Sequence, residues 1–207
     1  MWYPNWRQEK KLFKRGFHLI AGVDEVGRGA WAGPLVAAAV ILDPQVKIKG
    51  IKDSKLLLAP SRKNLCQQII DSAWSWALGV VEQETIDQIG LGLANQLALA
   101  KAASALKIKP DYLLVDGLKF FSALAPSLSI VDGDYKVTSI AAASIVAKVK
   151  RDEIMEKLAE VYPAYGFNQH KGYGTSYHYQ MLIEHGVSAI HRKTFAPIRL
   201  FLAEDEE

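Results

Sequence analysis

Cysteine is almost absent from this chain: one residue, Cys66, among 207. That excludes an intramolecular disulfide framework and any zinc site built from several thiolates, and it fits a reducing compartment. Cys66 falls in an expected helix, where a buried, inert thiol is the better reading. Long hydrophobic runs are missing too. The longest, Pro34 to Leu42, is too short to cross a bilayer. The first residues, Met-Trp-Tyr-Pro-Asn-Trp-Arg-Gln-Glu-Lys-Lys, contain no apolar core of a secretion signal. A cytoplasmic protein with no membrane contact is therefore expected. No repeat, low-complexity tract or interdomain linker breaks the chain, and its length suits one well-buried domain over residues 1–207.

Half of the residues are hydrophobic and 23% are charged, the balance of an ordinary globular protein. The net charge of +3 conceals an acidic tail, Glu204-Asp-Glu-Glu. Without those four acids the count is 25 basic against 18 acidic, a surface that favours a polyanion.

Against this background four carboxylates stand where apolar strands are expected to end. Asp24 and Glu25 close His18-Leu-Ile-Ala-Gly-Val-Asp-Glu, Asp116 closes Tyr112-Leu-Leu-Val-Asp, and Asp134 follows Leu128-Ser-Ile-Val-Asp-Gly. Acids form strands poorly and are costly to bury. Gathered in one pocket they need cations, and oxygen donors suit hard ions such as Mg²⁺ or Mn²⁺. Pattern alone weighs about evenly between a metal site and unrelated strand ends.

Strand-like runs at 18–24, 34–42 and 74–81 come first, with a helix starting near Pro60-Ser61. A long Ala- and Leu-rich helix is expected over 91–107, with Leu93, Leu97, Ala100 and Leu106 on one face. Strands at 112–116 and near 128–132 follow. From Ser139 to Tyr162 the pattern is again helical, with a stripe of Ile140, Ala147, Ile154, Leu158 and Val161. The small residues Ala141-Ala-Ala-Ser144 would let that helix approach a neighbour closely. After the polar segment 165–175 comes a short helix near 175–185, capped by Thr175 or Ser176. Strands followed by alternating helix and strand point to a mixed α/β sheet.

The loop Val23-Asp-Glu-Val-Gly-Arg-Gly-Ala-Trp-Ala-Gly-Pro is not a dinucleotide fingerprint. Its last glycine spacing is one residue too long, an apolar strand follows where a helix is needed, and two acids precede it. It suits backbone N–H groups that reach a sugar or phosphate beside bound metal.

Seven motifs then occur in order: Asp24-Glu-Val-Gly-Arg-Gly, Asp53-Ser-Lys-Leu, Val115-Asp-Gly, Gly133-Asp134, Ala143-Ser-Ile-Val-Ala-Lys-Val-Lys-Arg-Asp152, His170-Lys-Gly-Tyr-Gly-Thr175 and His191-Arg-Lys-Thr-Phe195. Across residues 18–195 this order and spacing resembles the type 2 ribonucleases H, and Arg28 between the glycines resembles their HII branch. The resemblance implies a ribonuclease H-like α/β fold, a mixed sheet flanked by helices with a C-terminal helical portion over about 163–207. It implies cleavage of the RNA strand of RNA–DNA hybrids, and of duplex DNA 5′ of a single embedded ribonucleotide, leaving 3′-hydroxyl and 5′-phosphate ends.

Carried over by position, Asp24, Glu25, Asp116 and Asp134 are the catalytic, metal-holding acids; Asp132 is an impostor two residues early. One Mn²⁺ or Mg²⁺ is expected without substrate and two with it, bridged by Asp24. The resemblance places the Gly27, Arg28 and Gly29 backbone and the Tyr173 hydroxyl around the 2′-OH. Lys55, Lys148, Lys171, Arg192 and Lys193 become candidate phosphate contacts, and Ser144, Arg151 and Asp152 candidates to orient the site. His170 and His191 either touch nucleic acid or satisfy loop hydrogen bonds. Thr194 replaces the serine expected in the final motif but keeps a hydroxyl. Leu200-Phe-Leu before the acidic tail is a candidate sliding-clamp contact, but it lacks a full clamp motif and a frayed terminus is the better reading; a monomer is expected. A related DNA nuclease would keep the acids without the Gly-Arg-Gly and Tyr173 pairing. A non-catalytic hybrid-binding protein would be expected to have lost an acid.

Overall fold

The run Leu35-Val-Ala-Ala-Ala-Val-Ile41 is buried at every position, as befits a strand covered on both faces. It is β2 of a five-stranded mixed sheet in the order β3-β2-β1-β4-β5. The computed structural model describes residues 3–51, 54, 57–117, 120 and 122–204. Strand β1 (Ile20–Val26) runs antiparallel to β2 and parallel to β4 (Tyr112–Asp116), which runs parallel to β5 (Ser127–Ile130). The edge strand β3 (Ser75–Val81) alternates buried and half-buried residues instead.

The chain forms two compact units. The first comprises Met1–Val26, Val36–Val80 and Gln96–Val149. It holds the sheet, helix α1 (Arg7–Phe13) and helix α2 (Ala59–Ser72), which begins with Pro60 in its first turn. One apolar core packs Val40, Leu65, Cys66 and Ile69 against Ala141–Ala143, Ile145 and Val146. A second gathers Leu12, Ile20, Tyr112, Leu114 and Ile140. The small-residue stretch at 141–143 is wholly buried, and just before it the helix approaches β1 closely. A Cβ on Gly22 of β1 would lie 2.1 Å from the Ser139 carbonyl carbon.

The second unit comprises Gly27–Leu35, Val81–Asn95 and Lys150–Glu207. Its core joins Met155, Tyr165, Phe167, Met181, Leu182, Ile190 and Ile198. Here lie the short helix α6 (Phe167–His170), α7 (Ser176–His185) and α8 (Ala196–Glu204). The Thr175 hydroxyl caps α7 by accepting from the His178 N–H at 3.2 Å, one of the two caps expected.

Three expectations need adjustment. Helix α3 runs Gln83–Ser104 with a kink at Gly90 (φ 77°): the stretch after the kink begins where the expected helix does but ends at 104 instead of 107, and a further helical stretch precedes it. Helix α5 (Thr138–Val161) matches its expected span, but Val161 is exposed, so the apolar stripe ends a turn early. Asp24 and Glu25 do not end β1. They lie inside it, opposite Ala38 and Ala37 of β2.

Candidate active site

The four candidate acids lie in the first unit, and three of them are held by different local devices. Asp24 sits on β1 and is 5% exposed; its Oδ1 accepts from the Glu25 N–H at 2.8 Å. Asp116 is the last residue of β4, and its Oδ1 accepts from the Gly133 N–H at 2.6 Å. A Cβ on Gly133 would lie 3.2 Å from that oxygen and 2.6 Å from Ile140 Cδ1, so glycine is what admits the bond. Asp134 opens the short helix α4 (Gly133–Lys136) instead of closing a strand, and is 6% exposed.

Their charges meet at Asp24. Burial, then the charges of Glu25 and Asp116, and further Asp134, raise its pKa well above the usual carboxylate range; the Ser144 hydroxyl, bonded to it, pulls the other way. Ser144 stands on α5, with its Oγ 3.2 Å from Ser54 Oγ. Among the described residues, no three His, Cys, Asp or Glu side chains converge tightly enough to hold a metal as they stand. The four acids are electrostatic neighbours, not a closed cage. Their donor set is all carboxylate oxygen, with Asp24 buried among like charges, and that chemistry fits a hard divalent cation.

Asp132 differs from Asp134 in every respect that matters. It is left-handed (φ 52°), its side chain is 67% exposed, and its carboxylate lies 3.8 Å from Lys136 Nζ on the surface.

In the second unit the glycine loop and the Tyr173 loop are joined through backbone. Trp31 N–H donates to the Gly172 carbonyl at 2.8 Å, Ala30 bridges Tyr173 and Ala32 bridges His191. Gly172 (φ 80°) and Gly174 admit this approach: a Cβ on the first would lie 2.4 Å from Ala32 O, and on the second 2.1 Å from the Trp31 ring. Gly27 (φ 94°) is buried against Arg151, whereas Arg28 and Gly29 are exposed.

The candidate phosphate contacts part company. Arg192 is wholly buried, donating from Nε to Gly33 O at 3.0 Å and from Nη1 to Arg28 O at 3.1 Å. Arg192, a candidate phosphate contact in the sequence, is thus enclosed by backbone carbonyls in this structure. Lys171 Nζ is paired with Glu156 at 2.9 Å and bonded to Asn168 O. Lys148 is half-buried, Lys193 is exposed, and Lys55 lies outside the described residues. The Thr194 hydroxyl donates to Asp87 Oδ1 at 2.6 Å, so the substituted residue serves an internal bond.

His170 and His191 make loop hydrogen bonds, one of the two roles offered for them, whereas sequence reasoning missed His178, which links them. His170, His178 and His191 are all buried, and His170 stacks on His178 at 4.3 Å. Their only signal was position, inside or beside the last two motifs.

A mixed sheet flanked by helices, with Asp24 buried on it among the charges of three further acids, fits the class of metal-dependent hydrolases with the ribonuclease H fold. The family model for Ribonuclease HII matches residues 21–198, and the chain belongs to that family. A ribonuclease HII of Dehalococcoides mccartyi is 46% identical over 199 residues, 95% of this chain and 94% of that one. The ribonuclease H2 of Pyrococcus horikoshii has a similar structure, with TM-score 0.78 and 27% identity over 92% of this chain and 100% of that one. An Archaeoglobus fulgidus ribonuclease HII, solved in complex with PCNA, gives 0.74 at 25% identity over 86% of this chain and 95% of that one. The chain is thus a divalent-metal-dependent endoribonuclease that cleaves the RNA strand of RNA–DNA hybrids. Among the described residues no helix is long and apolar enough to cross a membrane.

Proposed function

We propose that this enzyme also cuts duplex DNA on the 5′ side of a single embedded ribonucleotide, with Asp24, Glu25, Asp116 and Asp134 holding two Mg²⁺ or Mn²⁺ ions when substrate is bound. The observation that carries it is the burial of Asp24 amid the charges of the other three acids. Divalent ions there would supply an activated water and a charge for the leaving oxygen. Asp24, buried and subject to the charges of the other three, is the acid suited to be shared. The Ser144 hydroxyl orients the Asp24 carboxylate, and the Gly133 N–H holds Asp116 in the acceptor geometry.

Selection of ribose falls to the 2′-OH, because nothing else separates the two sugars at the scissile position. The Gly27–Gly29 backbone follows Glu25 by two residues, and the pairing of Ala30 with Tyr173 ties the tyrosine to that loop. Both supports favour Tyr173 and the loop amides as the ribose reader. Lys148, Lys171 and Lys193 are proposed phosphate contacts, and Arg192 acts through the Arg28 carbonyl instead. The protein acts as a monomer, and the exposed Leu200 of α8 offers a sliding clamp an apolar contact, as the PCNA complex of the archaeal relative suggests.

One assay tests the central reading: an end-labelled duplex with one ribonucleotide, beside an all-DNA control, in Mg²⁺ and in Mn²⁺. Cutting 5′ of the ribonucleotide with the control intact is expected. Equal cutting of the control would remove the 2′-OH reading.

A further inference from the structure

Two guanidinium groups are wholly buried in the second unit, Arg151 on α5 and Arg192 after Ile190. Neither serves an ordinary surface ion pair. Arg151 donates from Nε to Pro34 O at 2.9 Å, from Nη2 to Ala32 O at 3.3 Å and from Nη1 to Lys171 O at 2.9 Å. Its Cζ lies 5.2 Å from the centre of the Tyr173 ring. Its side chain also lies flat on Gly27, where a Cβ would stand 2.2 Å from Nε. One side chain therefore touches the glycine loop at its start and end, the residue two before Tyr173, and the Tyr173 ring itself.

This arrangement is expensive. Burial lowers the pKa of both arginines, and the Arg151 charge lowers that of Arg192 further, to about 9. An apolar side chain would fill the space without stranding a cation. What it could not do is donate three bonds in a fixed plane while stacking on an aromatic face, which only a guanidinium does. The cost is explained if the relative placement of the two loops matters.

We infer that Arg151 is a positioning residue for ribonucleotide selection, setting the distance between the Gly27–Gly29 backbone and the Tyr173 ring through its bonds to Ala32, Pro34 and Lys171. It touches no substrate. Arg192 supports the same loop from its other side through Gly33 O and Arg28 O. The inference rests on the proposed reading of Tyr173 and the loop as the ribose reader.

The test is a double-mutant cycle of Arg151→Lys with Tyr173→Ala, read as single-turnover cleavage of the one-ribonucleotide duplex with thermal melts of all four proteins. Arg151→Lys keeps the charge but loses the planar fork. Alone it should slow cleavage by about 10- to 100-fold, the scale of a sub-ångström to 1 Å misplacement. In the Tyr173→Ala background the same change should cost less than about threefold, because the ring it positions is gone. An equal loss in both backgrounds would place Arg151 elsewhere in the enzyme's economy and overturn the inference, as would no loss in either. A residue that merely staples the fold would move the melts and slow both backgrounds alike. If Arg151→Lys does not fold, Arg151→Gln removes the stranded charge and its repulsion from Arg192, and runs the same cycle. Failure of the underlying reading is seen separately, in the wild type: equal cutting of the all-DNA duplex would remove both claims, whereas a selective wild type with an additive cycle removes only this one.

Discussion

His178 Nε2 lies 2.9 Å from His191 Nε2, and their partners dictate which nitrogen carries the proton. His178 Nδ1 faces the Tyr173 carbonyl at 3.0 Å, so Nδ1 donates and Nε2 must accept. His191 Nδ1 accepts from the Ser188 N–H at 2.9 Å and from its hydroxyl, leaving Nε2–H to donate. A single chain of hydrogen bonds thus runs from Ser188 to the carbonyl of Tyr173. Both rings must be neutral for it to exist.

That requirement makes stability pH-dependent. Burial and the neighbouring His170 hold both imidazoles down at about 4, from an ordinary 6.5. A base with a depressed folded pKa leaves stability intact above its unfolded value and loses it as pH falls toward the folded one. The window is therefore pH 6.5 to 4. Trp31, Tyr165, Phe167 and His170 surround the pair with aromatic faces, and no carboxylate is among the causes of the shifts. Urea unfolding in EDTA should lose on the order of 3 kcal/mol per histidine across that window, less for the coupled pair. His191→Gln should flatten the curve; an unchanged slope would show that the pair does not titrate in this range.

Asp24 has the opposite sign. Its folded pKa is raised, so its contribution to stability is full below the unfolded value and is lost as pH rises through the folded one. At neutral pH, above the unfolded pKa, burying this acid among like charges is therefore a cost to the metal-free protein. Asp24→Asn should be inactive yet more stable than wild type in EDTA by on the order of 1 kcal/mol. Adding Mn²⁺ should raise the wild-type melting temperature more than that of the variant. Calorimetry with and without metal checks both statements.

The two aspartates of the α4 turn should separate cleanly. Asp134 is buried beside Asp24, whereas Asp132 faces solvent near Lys136. Asp134→Asn should abolish most hybrid cleavage; Asp132→Asn should leave it nearly intact and change stability by about 0.5 kcal/mol or less. Initial rates on an RNA–DNA hybrid decide it, and the reverse ranking would mean that the wrong aspartate was chosen.

Gly22 and Gly92 should respond in opposite directions to alanine. A Cβ at Gly22 would meet Ser139 backbone at 2.1 Å, so β1 and α5 must part, at about 1–3 kcal/mol. Gly92 lies in α3 with open space around it, and alanine there should stabilise by about 0.5–1 kcal/mol. Melting curves of the two variants give the comparison directly.

Local pattern made much of this protein legible. The apolar runs that became β1, β2 and β4 carried their own signal, as did the α5 periodicity and the Thr175 cap, because each depends on residues within a turn or a few strand positions. Carboxylates beside apolar strands stood out in the same way, but pattern alone weighed evenly between a metal site and unrelated strand ends; it was the resemblance that singled out Asp24, Glu25, Asp116 and Asp134. What the sequence could not express was burial arising from distant partners. Asp132 and Asp134 are chemically identical, and only the α4 turn buries one and exposes the other. Arg192 resembled a surface cation until the Gly33 and Arg28 carbonyls enclosed it. The proton order of His178 and His191 depends on carbonyls and amides that no spacing rule brings together. Those three outcomes were decided by tertiary structure, since desolvation and hydrogen-bond direction exist only once the chain has closed around each group.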